Sequence, residues 1–277
     1  MLQNKTITFL GAGSMAEAII GGLVRQQVVN PKNIIATNLS DQQKLLDLEQ
    51  NYGIRTNANR AEAVRHGDIV VLAMKPKHVK EAIEDIQEMT SDQQLFVSVL
   101  AGIPTFYIED LLRSKAGVVR TMPNTSAKVG ASATAITKGA YATDKQLREV
   151  EQLFSAVGTT TIVAEDKLDA VTGLAGSGPA YFYYLVEAME QAAKEAGLTQ
   201  EEASALITQT IVGVGKRLQS TTKSSKELYE EVMSPNGTTE AGINVLREQK
   251  SQEAMFQAVT RAISRSKELG EVYTKTN

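Results

Sequence analysis

A short glycine-rich segment near the start of the chain has the residues that a phosphate-binding turn requires. Gly11 to Ala16 read GAGSMA and follow an apolar run that ends at Leu10. Residues without a Cβ at the first two positions allow a tight turn and a close approach to a pyrophosphate, and a small third residue lets helix and strand pack. Backbone N–H groups at the following helix start, at Ser14 and Met15, add an anion site. The predicted dinucleotide-binding residues are Gly11, Gly13, Ser14, Met15 and Ala16.

The end of the second predicted strand bears on which dinucleotide is bound. NAD-specific sites place Asp or Glu there to bond the ribose 2′-hydroxyl, but this chain has Asn38. A neutral residue leaves room for a 2′-phosphate, and Ser40 and Lys44 are the residues that we expect to contact it. Leu39 stands where many NADP sites place an arginine. These residues predict NADPH as the cofactor and leave NADH open.

Two further strand ends bring unusual residues to the sheet edge at which doubly wound folds bind ligands. They are LAMKP, Leu72–Pro76, and VVRTMPNT, Val118–Thr125. One interpretation of the first is a loop over the pyrophosphate and the nicotinamide ribose, and the other is a strand end followed by a helix-starting proline. The second segment also fits a plain turn. We assign to the cofactor Ala73, Met74, Lys75, Pro76, Pro123 and Asn124.

Two segments of the second half place small and hydroxyl-bearing residues directly before a helix. They are GLAGSGPAY, Gly173–Tyr181, and MSPNGTTEAGINVL, Met233–Leu246. Ser234 to Thr239 offers backbone N–H groups and three hydroxyls at a helix N-terminus, which suits a small carboxylate. An N-capping turn without a ligand is the alternative.

Patterns for acid–base catalysis and for metal binding are missing from the sequence. The chain has no cysteine, and it contains no HExxH motif, nucleophile elbow or carboxylate cluster with metal-ligand spacing. His66 falls near a predicted helix end and His78 on a polar helix face, so neither suits a proton donor. Reduction of an already protonated imine needs hydride delivery and orientation rather than an acid–base side chain. The predicted chemistry is therefore imine reduction without a metal.

The elements that must position these residues follow from the hydrophobic pattern. Up to about residue 163, short β-branched runs alternate with amphipathic stretches, as in βαβ units around a mostly parallel sheet. The predicted strands are Thr6–Leu10, Ile34–Thr37, one around Ile54, Ile69–Ala73, Leu95–Val99, Val118–Arg120, Ala131–Thr137 and Thr159–Val163. Helices are predicted at Asp41–Asn51, with Ser40 as the N-cap, and at Lys77–Met89, with Pro76 near its first turn.

After Glu165 the apolar residues recur at helical spacing, and no strand signal remains. The predicted helices include Tyr181–Ala196, Gln200–Gln219, Lys226–Met233 and Gln252–Val272. The predicted fold class is α/β, with a Rossmann-type doubly wound sheet in residues 1–163 and an all-helical dimerisation and substrate-binding domain in residues 164–277. Several helices are apolar on more than one face, which predicts a homodimer that covers them.

Composition restricts the class of protein. Hydrophobic residues make up 42% of the 277 residues and charged residues 22%, which is typical of a globular protein. A net charge of −3 with scattered Lys and Arg argues against a nucleic-acid partner. The sequence has no apolar stretch of about 18 residues and no signal-peptide pattern, which predicts a cytoplasmic protein without a membrane span.

Six segments, taken together in this order, resemble the pyrroline-5-carboxylate reductases over nearly the whole chain. They are GAGSMA, AMKP, SVLAG (Ser98–Gly102), VRTMPNT, DAVTGLAGSGPAY and SPNGTTEAGINVL. The last two are the specific ones, because many unrelated dehydrogenases share the glycine turn. The resemblance implies NAD(P)H-dependent reduction of the C=N bond of 1-pyrroline-5-carboxylate to L-proline, the last step of proline biosynthesis. It also implies dimers that assemble further into rings, with the SPNGTT loop facing a cofactor across the dimer interface.

The resemblance assigns roles to particular residues. Asn38 and Ser40 lie near the adenosine ribose, Asn59 lies on the adenosine side, and Ala73 to Pro76 border the nicotinamide half. The residues that grip the substrate carboxylate are Ser234, Gly237, Thr238 and Thr239. Thr239 is the catalytic candidate, since its hydroxyl is placed near the imine nitrogen. Asn236 departs from the family, which often has glycine there, and so does Leu39, where arginine is frequent.

Two other functions stay open on the sequence. A β-hydroxy acid dehydrogenase shares this architecture and predicts a catalytic lysine in the helical half, where Lys167 and Lys194 lie in no such motif. A dinucleotide-sensing paralogue would keep the fold without turnover, and the intact SPNGTT segment argues against it.

Overall fold

An eight-stranded sheet forms the frame of the N-terminal part. The structure is a computed structural model that describes residues 2–274. The strands are β1 Ile7–Leu10, β2 Ile34–Thr37, β3 Arg55–Thr56, β4 Ile69–Leu72, β5 Leu95–Ser98, β6 Gly117–Met122, β7 Ser132–Lys138 and β8 Gly158–Ile162. Their order is β3-β2-β1-β4-β5-β6-β7-β8, and all neighbours pair parallel except β6 and β7. All eight predicted strands are present, and the order reverses direction between β1 and β4, which is where doubly wound folds bind ligands.

Helices cover both faces of this sheet. They are α1 Ser14–Arg25, α2 Gln42–Tyr52, α3 Arg60–Arg65, α4 Val79–Glu84, α5 Thr105–Leu112 and α6 Asp144–Ser155. One core cluster joins the sheet to α1, α2 and α6, and a second joins it to α3, α4 and α5. Every residue of β1, β2, β4 and β5 is buried, as a sheet covered on both faces requires.

Two predicted helices differ in detail from those in the structure. The N-cap of α2 is Asp41 rather than Ser40, because the Asp41 carboxylate is the one that accepts from the backbone N–H of Lys44, at 2.9 Å. The predicted helix Lys77–Met89 is interrupted: α4 lies between two 3₁₀ turns, Pro76–His78 and Gln87–Met89. Apolar residues three apart suit both kinds of helix, so the hydrophobic pattern does not separate them.

The rest of the chain is helical, as predicted, and the described residues contain no strand after Ile162. The elements are α7 Leu168–Val171, a π-helical turn Thr172–Gly176, α8 Gly178–Glu195, α9 Gln200–Gln219, α10 Ser225–Glu231, α11 Thr238–Glu248 and α12 Ser251–Thr274. By internal packing the chain divides into a first unit, Met1–Pro179 with Arg261–Asn277, and a second unit, Ala180–Thr260. A domain boundary between residues 163 and 164 stays a prediction.

The second unit has very little core of its own. Among residues 180–260, all of which the structure describes, Ala203 and Ile207 are the only buried hydrophobic residues. Large apolar side chains are instead exposed, including Phe182, Tyr184 and Phe256 at 62%, 76% and 71%. A helical unit of this size needs a larger buried apolar surface to be stable, so these side chains need a cover. Between residues 2 and 274, none of the helices has the length and apolar character to cross a membrane.

Candidate functional site

A groove of about 300 Å³ lies at the carboxyl ends of β1, β2 and β4 in the first unit. Its wall includes seven of the predicted cofactor residues: Gly11, Gly13, Asn38, Ser40, Ala73, Met74 and Lys75. The other wall residues are Leu10, Ala12, Thr37, Leu39, Arg60, His78 and Ala82. The parallel strands explain this grouping, because they bring the residues after each strand to one edge of the sheet.

Gly11 makes the turn between β1 and α1 compatible with the neighbouring strand. Its φ is 106°, in the region that favours glycine, and its N–H donates to the Thr37 carbonyl oxygen at 3.2 Å. A Cβ at this position would stand 2.6 Å from the carbonyl oxygen of Ala73. The turn therefore fits between β2 and the end of β4 only when residue 11 lacks a side chain.

Gly13 leaves open space where a phosphate would approach. It is the exposed N-cap of α1, and a Cβ there would meet no described heavy atom within 4 Å. The groove thus continues into the volume that a side chain at residue 13 would fill. This space, together with the helix start behind it, fits the pyrophosphate of a dinucleotide.

The three residues after Gly13 begin α1 in different environments. Ser14 is exposed, Met15 packs partly buried against the core, and Ala16 is fully buried in that core. The first N–H groups of an α-helix have no partner within the helix. The backbone of Ser14 and Met15 is therefore suited to an anion, whereas the small Ala16 lets the helix pack on the sheet.

The predicted ribose end of the groove carries no acidic side chain in its lining. The Asn38 side-chain oxygen accepts from the Ser40 backbone N–H at 3.4 Å, so it braces the turn after β2. Lys44 does not line the groove, and its Nζ donates to Glu17 at 2.6 Å. This hydrogen bond raises the pKa of Lys44 above its ordinary value. The ammonium group of Lys44 is thus bound to Glu17 of α1 and is not part of the groove wall.

Asn59 is not among the residues that line the groove, whereas its neighbour Arg60 is. The Asn59 side-chain oxygen Oδ1 caps α3 by accepting from the Glu62 backbone N–H at 3.1 Å. Arg60 and His78 are wall residues that the sequence reasoning missed. The sequence feature that could have pointed to Arg60 was its position just after β3. That β3 lies beside β2 is known only from the structure. His78 was predicted on a polar helix face, but its 3₁₀ turn leaves it half-buried on the wall.

Pro76, Pro123 and Asn124 do not line the groove. Pro76 starts the 3₁₀ turn before α4. Pro123 and Asn124 are buried after β6, and the Asn124 amide nitrogen donates to the Ala175 carbonyl oxygen at 3.1 Å. Asn124 therefore joins the end of β6 to the π-helical turn in the GLAGSGP segment. Cofactor contacts of these three residues stay a prediction.

The SPNGTT loop of the second unit is a tight turn that leads into α11. The Gly237 N–H donates to the Ser234 carbonyl oxygen at 2.9 Å, and the Asn236 N–H donates to Glu240 Oε2 at 2.7 Å. A Cβ on Gly237 would stand 2.4 Å from Ser234 Oγ. Asn236 has φ of 60°, which asparagine adopts more readily than most residues. The departure from glycine at residue 236 is therefore compatible with the turn.

The arrangement of this loop suits the binding of a small anion, and the loop itself contributes one oriented hydroxyl. Gly237 is the N-cap of α11 and contributes no side chain, so Thr238 and Thr239 begin the helix with N–H groups that have no intrahelical partner. Ser234 and Thr238 are exposed, and Thr239 is half-buried. A carboxylate at these N–H groups would also interact favourably with the helix dipole.

Comparison with known proteins finds a separate family model for each half of the chain. Residues 165–269 match a family model described as pyrroline-5-carboxylate reductase dimerisation. Residues 6–102, which include every residue of the groove wall, match a model described as coenzyme F420-dependent NADP oxidoreductase. The helical half and the sheet half thus match independent models.

Similarity to individual proteins extends over the whole chain. The chain is 41% identical to pyrroline-5-carboxylate reductase 1 of Bacillus subtilis, covering 100% of this chain and 93% of that protein. The structure of a pyrroline-5-carboxylate reductase from Coxiella burnetii matches with a TM-score of 0.87 at 34% identity. The match covers 96% of this chain and 99% of that one. The structure of a Plasmodium falciparum pyrroline carboxylate reductase with NADP bound matches with a TM-score of 0.89 at 25% identity. The match covers 98% of this chain and 100% of that one. With sequence identity at this level from end to end, the chain belongs to the pyrroline-5-carboxylate reductase family.

Proposed function

We propose that this protein reduces the C=N bond of 1-pyrroline-5-carboxylate with NAD(P)H and so forms L-proline, the last step of proline biosynthesis. The observation that carries the proposal is the 41% identity to the Bacillus subtilis reductase over 276 residues. That match includes both the groove of the first unit and the SPNGTT loop of the second. The absence of a sequence motif for acid–base catalysis agrees with a substrate that enters as a protonated imine.

The cofactor fits the groove in this proposal. Gly11 and Gly13 admit the pyrophosphate, the N–H groups of Ser14 and Met15 bind it, and Ala73 to Pro76 flank the nicotinamide half. When bound, the reduced nicotinamide supplies a hydride to the imine carbon. The residues of the chain act by binding and orientation, which are large contributors to rate when two reactants must meet in one geometry.

The substrate carboxylate binds the SPNGTT loop in this proposal. Ser234 and the N-terminal N–H groups of α11 hold the carboxylate, and Gly237 keeps the turn open enough for it. The Thr239 hydroxyl hydrogen-bonds the ring nitrogen. That nitrogen becomes the amine of proline and keeps the proton with which the imine entered, so the step consumes one hydride and no further proton.

Turnover with purified protein tests this function directly. We expect oxidation of NADPH or NADH, followed by near-ultraviolet absorbance, only when pyrroline-5-carboxylate is present, with kcat in the usual range of about 1–1000 per second. The product is checked as L-proline by chiral chromatography. Binding of the dinucleotide without turnover on either cofactor would contradict the proposal and favour a sensing paralogue.

The proposed active form is a homodimer. It is supported by the dimerisation match over residues 165–269 and by the exposed apolar side chains of the second unit. Sedimentation at micromolar protein is expected to give a dimer or a multiple of it, and a folded, active monomer would contradict the proposal. Assembly of dimers into rings and a cytoplasmic location stay predictions.

A further inference from the structure

The groove wall holds a cation whose position helix stability does not explain. Arg60 is the first residue of α3, where the helix dipole disfavours positive charge. Its side chain is only 15% exposed, and its Nη1 is 2.7 Å from Oδ2 of Asp85, whose own side chain is 52% exposed. That contact uses one of the five N–H donors of a guanidinium, so the group keeps donors for a second anion.

The strand order places Arg60 on the side of the groove where the ribose is expected. Arg60 follows β3, and β3 pairs with β2, whose carboxyl end carries Asn38 and Ser40. The lining contains no Asp or Glu among the described residues, so nothing there favours a 2′-hydroxyl in the way that NAD-specific sites do. Lys44, which follows β2 in the chain, is bound to Glu17, and Lys75 lines the groove after β4 rather than beside β2.

We propose that Arg60 binds the 2′-phosphate of NADPH and thereby selects NADPH over NADH. This inference rests on the proposed function and deepens it by naming the residue that discriminates between the two cofactors. Asp85 holds the guanidinium in place, and a 2′-phosphate then adds charge-assisted hydrogen bonds to the donors that remain. Many NADP sites have an arginine at the position that Leu39 occupies in this chain. Arg60 takes the role of that arginine here.

Binding of two adenosine fragments tests the inference without turnover. The unaltered protein is expected to bind 2′,5′-ADP more tightly than 5′-AMP in calorimetric titrations at one fixed salt concentration. Arg60→Ala is expected to weaken 2′,5′-ADP binding by about 10- to 100-fold, since hydrogen bonds to charged groups are of that strength. Its 5′-AMP binding is expected to stay within a factor of about 2, the margin for a residue that contacts only the extra phosphate.

Two further variants separate charge recognition from a merely structural role. Asp85→Asn keeps a side-chain oxygen that can accept from Arg60 and removes the negative charge beside it, so 2′,5′-ADP binding is expected to hold or to strengthen. Arg65→Ala removes an equal charge from the same helix at an exposed residue that does not line the groove, so the ratio of the two affinities is expected to stay unchanged.

The outcomes also distinguish this inference from the proposed function. Equal loss of both ligands in Arg60→Ala, or no preference for 2′,5′-ADP in the unaltered protein, overturns the selective role of Arg60. Turnover with pyrroline-5-carboxylate would survive either of those results. If the unaltered protein binds neither fragment but still turns over pyrroline-5-carboxylate, the inference about Arg60 fails and the proposed function stands.

Discussion

Gly13→Ala is expected to lose most of its affinity for NADPH while remaining folded. The added Cβ meets nothing within 4 Å in the described structure, and φ of −72° with ψ of −178° suits alanine. Its methyl group would occupy the space that a pyrophosphate needs, and such overpacking costs about 1–3 kcal/mol, or about 10- to 100-fold in Kd. The free energy of unfolding should fall by no more than about 1 kcal/mol, because alanine is a poorer N-cap than glycine.

Gly11→Ala and Gly53→Ala are the matched comparisons for this variant. At Gly11 a Cβ would collide with the Ala73 backbone at a φ of 106°, so stability should fall by about 3 kcal/mol along with affinity. At Gly53, φ is 67° and no described atom is near, so a loss of about 1–2 kcal/mol without a change in affinity is expected. Denaturant unfolding and fluorescence titration with NADPH measure both quantities. Unchanged Kd in Gly13→Ala would show that the pyrophosphate lies elsewhere.

Thr239→Ala is expected to lower kcat/KM for pyrroline-5-carboxylate by about 100-fold, the usual effect of removing one oriented hydrogen-bonding group beside the reacting atoms. Thr239 is the second residue of α11 and half-buried, so its hydroxyl is held by the helix rather than by a mobile loop. Folding should not suffer, because alanine is a better helix former than threonine. Steady-state kinetics with each substrate varied in turn gives kcat and KM separately.

Two conservative variants test whether the hydroxyl itself carries the effect. Thr239→Ser keeps the hydroxyl and is expected to recover most of the activity. Thr238→Ala removes the hydroxyl of the exposed neighbour, which the family resemblance assigns to the substrate carboxylate, so KM should rise while kcat is largely kept. Full turnover and unchanged KM in Thr239→Ala would refute the role given to this residue.

Local sequence was sufficient for most elements of the fold and for the turn at the groove. The strands β1, β2, β4 and β5 are short runs of apolar, mostly β-branched residues buried on both faces, and such runs have few alternative structures. The glycine turn is equally local, because the positive φ of Gly11 and the missing Cβ of Gly13 are properties of those residues themselves. Hydrophobic spacing did not separate α4 from the 3₁₀ turns beside it, since both place residues three apart on one face.

The tertiary structure decided which polar side chains line the groove and which are already bonded elsewhere. Arg60 reaches the wall because β3 pairs with β2, whereas Lys44 is bound to Glu17 and the Asn124 amide is bound to Ala175. Each of these outcomes depends on a partner distant in sequence, so neither composition nor periodicity predicts it. The glycine turn and the SPNGTT helix start were readable from the sequence because a tight turn and a helix N-terminus require particular residues at adjacent positions. The place of Arg60 on the groove wall was not, because it depends on which strands lie side by side.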